Sequence, residues 1–331
     1  MGKDNVPFHT VIFPASIMGT GDQWTKLNTL SVSEYLNYEN GKFSKSRGVG
    51  VFGDTAKETG VPPSVWRYYL LSNRPETSDT QFEWKGFVAA NNSELLANLG
   101  NFVNRVIKFV NAKFEGVIPE FSASYSDDSF DFAAWIAEIQ TILGDYNKQM
   151  EGVHLRAGLR RVMELSSQGN LLLQYRLDNA NLAAHPERTH AVIGLALNLC
   201  HLLASTVSPF MPATADSIAR QLNTKLAFIP DTWDPETLKP AHKIGKAEYL
   251  FTRIDEKKTD EWKERFGGTQ ASRAAEEAAK KKKQEDKERK KAKKAAAKAG
   301  ASKATDDAPT TAATEEIKEL PVREKEKPVE K

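Results

Sequence analysis

The sequence predicts a mainly α-helical protein in three parts: a mixed α/β piece over residues 1–83, a helical domain over 84–268, and a basic tail over 269–331. Three observations predict this. Between 84 and 223 apolar residues recur at helical spacing, with Phe87, Leu95, Leu99, Phe102, Val106, Phe109 and Val110 as the first such row. Proline and glycine cut the remaining chain into short pieces. From residue 271 onward there is no Phe, Tyr, Trp or Met, although the whole chain has sixteen Phe and six Trp. A segment without such side chains has nothing to bury and is solvated helix or disordered chain.

Taken in order, "VPFHTVIFPASIMG" (6–19) is an apolar run that fits a buried helix or a strand equally well. "TLSVSEYLNYENG" (29–41) alternates and ends on turn residues, which predicts a hairpin leading into a lysine loop. "DTAKETG" (54–60) reads as a short helix closed by Gly60, and "PPSVWRYYLLSN" (62–73) as a helix started by proline. The long amphipathic stretch to Phe114 follows. Three more helical patterns occupy 131–150, 154–177 and 187–222, the last broken by Pro209 and Pro212. Residues 225–268 are mixed and finish in an amphipathic stretch ending "RFGG".

Charge is unevenly distributed. Residues 1–270 carry 28 Lys and Arg against 31 Asp and Glu, and residues 271–331 carry 18 against 13. The excess in the tail suits phosphate backbones or another acidic surface. The single cysteine, Cys200, excludes an intrachain disulfide, and no zinc-type cysteine spacing is present. No run of 18 apolar residues and no apolar leader is seen, so a cytoplasmic protein with no membrane partner is expected.

The most informative stretch is "ENGKFSKSRGVG" (39–50). It is not a P-loop, because Leu36 stands where the first glycine would be and Phe43 follows the Gly41-Lys42 pair. Read without its neighbours it is an ordinary exposed turn. Its composition says more. Lys42 and Lys45, three apart in a tight turn, can reach one side; Ser44 and Ser46 add hydroxyl donors; Gly41, Gly48 and Gly50 let backbone N–H groups approach a ligand; Phe43 offers an anchor. Two mobile cations suit a reaction that gathers negative charge on phosphate oxygens, and the reading is the triphosphate of ATP.

"KFSKS" is similar to the lysine-serine signature of class I aminoacyl-tRNA synthetases. With "EYLNYENGKFSKSRGVGVFGD", "GKDNVPFH", "RYYLLSNRPE", "NNSELLANLGNFVNR" and "KERFGG", residues 1 to about 268 resemble the cytosolic eukaryotic methionyl-tRNA synthetases. The resemblance implies the C-terminal piece of a class I Rossmann-type catalytic domain plus a stem-contact region over 1–83. It implies an anticodon-binding bundle over 84–268 and leaves the tail open. The implied activity is methionine–tRNA ligation, with ATP (and its Mg2+) as substrate, L-methionine and methionine tRNA as partners, and other synthetases or a tRNA-binding cofactor as further partners. No metal site is expected in this chain.

Residue by residue, the resemblance gives Lys42 and Lys45 the charge-neutralising role during adenylate formation, with Phe43, Ser44 and Ser46 beside them on ATP. It gives Asp4 to the ATP ribose, and Asn5 and His9 to the methionine pocket. By residue type alone His9 would be a satisfied core histidine. Asn101 and Arg105 lie at i, i+4 on one helix face and match a pair that reads the anticodon; without the resemblance they are a solvated face. Two departures qualify this. The six histidines (9, 154, 185, 190, 201, 242) form no His-x-Gly-His signature, so a C-terminal portion, inactive alone, is expected. "YRLDNANLAAHPER" (175–188) lacks the tryptophan that many relatives place there for base stacking, which leaves that role unassigned. The rival readings are a non-enzymatic tRNA-binding fragment and a scaffold within a synthetase complex.

Overall fold

The computed structural model describes residues 1–128, 130–174 and 179–268, and beyond them only Lys281, Glu285 and Lys287. The chain divides into two compact units, 1–270 and 271–331, and the first is described below. The expectation of a helical or disordered tail falls outside the described residues.

The ambiguous first run is helical: a turn of π-helix, Phe8–Ile12, runs into α1, Phe13–Met18. Its apolar side chains stay largely outside, with Phe8, Val11, Ile12, Phe13 and Met18 each more than half exposed. The next segment corrects the hairpin expectation. β1, Leu36–Tyr38, ends in a tight turn in which Glu39 and Asn40 both take left-handed backbone angles and Tyr38 and Gly41 exchange hydrogen bonds of 2.9 and 2.7 Å. Its strand partner, however, is β2, Thr80–Phe82, in parallel register from Leu36↔Thr80 to Tyr38↔Phe82. A parallel pair needs a long crossover, here α2, Gly53–Ala56, and α3, Pro63–Ser72, so no local signal could have named it.

After β2 the chain stays helical for thirty residues as α4, Trp84–Ala89, a π-helical stretch Ala90–Gly100, and α5, Asn101–Lys113. The bundle is completed by α6, Phe132–Glu151, and α7, Leu155–Gln174. α8, Asn179–Ala184, then leads to α9, Pro186–Val207, and α10, Pro212–Gln221. Asp131 caps α6 by accepting from the Ala134 amide at 2.8 Å. The chain leaves the helix between Val207 and Pro212, where the two prolines predict the break. α5 and α7 approach at Gly169, where a Cβ would lie 2.4 Å from the Phe102 ring.

α9 is long and apolar enough in composition to cross a bilayer, which the sequence reading overlooked, but 94% of its most apolar window is buried inside the bundle. It is the core helix. Cys200 lies within it, and burial pushes its thiol pKa up.

Residues 241–257 return along the outside of the long helix as an irregular strap that ends in α11, Lys258–Phe266. Asparagines fasten it. Asn111 donates to the Gly245 carbonyl at 3.0 Å and accepts from the Ala247 amide at 3.1 Å. Asn91 donates to the Thr252 carbonyl, and Asn92 both donates to the Ile254 carbonyl and accepts from its amide, each at 2.9 Å. Asn98 faces the other way and bonds Met163, Ser166, Ser167 and Asn170 of α7.

Candidate functional site

The lysine loop is a small closed ring. The Ser44 amide donates to the Val49 carbonyl and the Val49 amide to the Ser44 carbonyl, both at 2.9 Å. Between them Lys45–Arg47 makes one 3-10 turn, ended by Gly48 at φ 63°. The two lysines project outward. Lys42 is exposed, and Lys45, at 81% exposure, has the Asp54 carboxylate 4.0 Å away. Ser46 is exposed, while Ser44 is half-buried and accepts from Arg47 Nε at 3.1 Å.

Phe43 points the opposite way, into an aromatic cluster. Its ring is 5.2 Å from Tyr38 and 5.8 Å from Phe52. The anchor role expected of Phe43 from its residue type has this physical basis; contact with ATP is a separate matter. The loop also rests on α11, since the Gly50 amide donates to the Phe266 carbonyl at 2.8 Å and Val49 bridges to Gly267. Arg265 pairs with Glu58, and Lys263 with Glu39 at 3.1 Å, on the same junction. That the closing "KERFGG" supports the loop was not legible in the sequence, because 215 residues separate Gly50 from Arg265.

Gly50 is what lets Phe43 sit there. It has φ 105°, and a Cβ on it would lie 2.2 Å from the Phe43 ring. Gly50→Ala should expel the ring, lower stability by about 1–3 kcal/mol, and disorder the loop while the bundle stays folded. Thermal unfolding alongside circular dichroism checks this; an unchanged melting temperature would mean that Phe43 leaves its seat at no cost.

Asp4, Asn5 and His9 lie together on the N-terminal helical turns, and all three are exposed. His9 is therefore no core histidine; its Nδ1 lies 2.9 Å from the Asn5 carbonyl. Asp4 hydrogen-bonds Tyr35, which raises the phenol's pKa. Lys3 holds the segment down by pairing with Glu34 and, at 2.9 Å, with Asp79; these bonds raise its pKa and lower that of Asp79. The segment meets the chain at Ser33, where Gly2 bridges to it, and Tyr38 at the end of β1 lies at most about 17 Å further on. The structure therefore groups the three residues on a segment tied to the stretch that leads into β1 and the lysine loop. Among the described residues no cluster of three or more His, Cys, Asp or Glu could hold a metal ion.

Asn101 and Arg105 are both exposed on α5. Asn101 donates only locally, to the Ala97 carbonyl at 3.1 Å. This sets it apart from Asn91, Asn92, Asn98 and Asn111, which are spent on holding the fold. A cleft of about 1000 Å3 lies elsewhere, between α3, the π-helical stretch and α7, with Tyr68 bonded to Glu94 on its wall. Burial first, and Glu94 second, raises that phenol's pKa. None of the sequence-predicted residues lines this cleft.

Two family models match the chain: tRNA synthetases class I (M) over residues 1–107, and the anticodon binding domain of methionyl tRNA ligase over residues 125–271. The probable cytoplasmic methionine–tRNA ligase of Schizosaccharomyces pombe is 54% identical over 270 residues, which is 81% of this chain and 34% of that one. The cytoplasmic enzyme of Saccharomyces cerevisiae is 53% identical over 271 residues, 82% of this chain and 36% of its own. The chain thus spans about a third of the length of the curated relatives it matches. Among solved structures, Mycobacterium tuberculosis methionyl-tRNA synthetase bound by methionyl-adenylate superposes with a TM-score of 0.61 at 18% identity, covering 76% of this chain and 49% of that one. Its apo form gives 0.60. These likenesses show the fold.

Proposed function

The chain belongs to the methionyl-tRNA synthetase family, and we propose from that premise that it supplies the lysine-loop part of the adenylation site and the anticodon-reading bundle of a cytoplasmic methionine–tRNA ligase. One observation carries the proposal: a short loop presents Lys42, just before its closed ring, and Lys45, within it, to solvent while Phe43 fixes its base in an aromatic core. Such a loop can bring two cations to a triphosphate and withdraw them, without disturbing the fold that carries it.

In the proposed reaction a methionine carboxylate oxygen attacks the α-phosphorus of ATP, a P–O bond forms, and the bond to pyrophosphate breaks. Negative charge builds on the phosphate oxygens and on the departing pyrophosphate. Lys42 and Lys45 act as point charges there, with Ser44, Ser46 and the loop amides as donors. Mg2+ enters with ATP as part of the substrate. Asp4 is assigned to the ribose, and Asn5 with His9 to methionine. The exposed apolar side chains of 8–18 offer a packing surface beside this group. The domain division at 83 and 268, with a stem-contact role before it and tRNA phosphate contacts from the basic residues after it, belongs to the same proposal. Contact with other synthetases or a tRNA-binding cofactor is assigned to that basic tail.

The test is methionine-dependent ATP–pyrophosphate exchange by the 331-residue chain, beside a fusion with the N-terminal half of the fission-yeast relative placed ahead of it. Exchange is expected in the fusion alone. A silent fusion that still binds methionine tRNA would favour the non-enzymatic binding reading. On the bundle, Arg105→Ala should weaken binding of methionine tRNA about 5- to 100-fold and leave other tRNAs nearly unaffected, because a base-edge contact is lost. An equal loss across all tRNAs in a filter-binding assay would mean a phosphate contact instead.

A further inference from the structure

The strap that returns along α5 carries one exposed aromatic ring. Tyr249 is 70% exposed, although Ile244 and Phe251 on the same strap are buried. Its position is nevertheless fixed. The Lys108 ammonium donates to the Tyr249 hydroxyl at 2.9 Å and sits 4.5 Å from the ring centroid. The backbone is clamped on both sides, by Asn111 at Gly245 and Ala247 and by Asn91 and Asn92 at Thr252 and Ile254.

Lys108 lies three residues after Arg105 and seven after Asn101, so the three share a face of α5. Helix rise puts Arg105 about 4.5 Å along the axis from Lys108, close to one step between stacked bases. An oriented, solvent-facing aromatic ring therefore stands beside an exposed Asn–Arg pair. A ring already held in place loses little conformational freedom when a flat ligand covers it. Cations flank it on the strap, with Lys243, Lys246 and Arg253 near Tyr249 against Glu248, although Asp255 and Glu256 near its end bring the strap as a whole to one net positive charge. Together, an open π-face, cations and amide donors match unpaired RNA bases and their phosphates rather than an apolar protein surface.

We propose that Tyr249 is the base-stacking residue of this surface: its open face takes an unpaired base of the tRNA anticodon loop while Asn101 and Arg105 meet base edges. Lys108 positions the ring and adds a cation near the RNA backbone. The inference rests on the reading of the bundle as the anticodon-binding element. It places the stacking role on the strap, away from the 175–188 segment that lacks tryptophan.

The test uses the full 331-residue chain and a methionine tRNA transcript with 2-aminopurine in the anticodon loop, whose fluorescence falls when it stacks. The native chain and the Tyr249→Phe and Tyr249→Trp variants should bind and quench the probe. Tyr249→Ala should bind about 5- to 100-fold more weakly and leave the probe bright; at an exposed site it should fold normally. If Tyr249→Ala binds and quenches as the native chain does while Arg105→Ala is impaired, the stacking role falls and the anticodon reading stands. If the native chain binds methionine tRNA no better than other tRNAs, the anticodon reading falls and takes the stacking role with it.

Discussion

Replacing Lys45 with Ala in the fission-yeast fusion should lower methionine-dependent ATP–pyrophosphate exchange by about two to three orders of magnitude, the usual loss when one preorganised charge or donor is removed from a developing anion. Stability should hardly move, within about 0.5 kcal/mol. The ammonium is 81% exposed, and its one neighbouring carboxylate, Asp54, is 64% exposed at 4.0 Å. An exposed pair at that distance contributes little to folding. Rate and stability should therefore separate cleanly at this residue. The loss should appear in kcat more than in KM for ATP, since the charge being met grows between ground and transition state. Lys45→Arg should recover only part of it, because a broad planar guanidinium replaces a point charge on a short turn. A Lys45→Ala enzyme with native exchange would remove the loop from the adenylation site. Lys42→Ala is the companion test, and a smaller fall there would rank Lys45 as the nearer cation.

How much of this was legible depended on how local the signal was. The proline-started helix at 63 and the break at Pro209 and Pro212 follow from φ restriction and the missing N–H of proline, which act within one or two residues. The 3.6 periodicity of α5 and α6 was equally local. What failed was pairing at a distance. The turn at Glu39–Asn40 was predicted, but its sequence gives no sign that Leu36–Tyr38 would pair with residues 80–82. The asparagines show the same limit. Asn91, Asn98, Asn101 and Asn111 look alike in the sequence; only the folded strap and α7 reveal which are spent on structure and which, Asn101, is exposed. Tyr249 was missed for the opposite reason, as one tyrosine in a mixed segment with no periodicity to mark it as surplus to the core.

The support of the lysine loop is long-range too, and Trp84 is where it can be broken. This side chain is fully buried, and four elements meet on it. Its indole N–H donates to the Tyr38 hydroxyl at 2.7 Å, and its backbone N–H to the Glu39 carboxylate at 2.9 Å. Its ring is 4.9 Å from Phe82 of β2, 4.9 Å from Trp262 and 5.5 Å from Phe266 of α11. Tyr38 in turn is the ring against which Phe43 packs. Trp84→Ala should cost about 3–5 kcal/mol, because the cavity can close only if both strands, the turn and α11 all move. Urea unfolding measures that loss. The more telling measurement is amide exchange at Val49 and Gly50, whose N–H groups are held by the Ser44 and Phe266 carbonyls. If the loop is seated through Trp84, these two amides should exchange faster in the variant by more than the global loss of stability explains, while amides of α9 follow the global change alone. If Val49 and Gly50 merely track α9, then Phe52 and the backbone of α11 suffice to hold the loop. The aromatic cluster would then stabilise the fold without positioning the lysines. Trp84→Phe separates the contributions: it keeps most of the ring packing and removes the indole N–H to Tyr38, so a loop that loosens in this variant depends on the hydrogen bond, and one that does not depends on the packing.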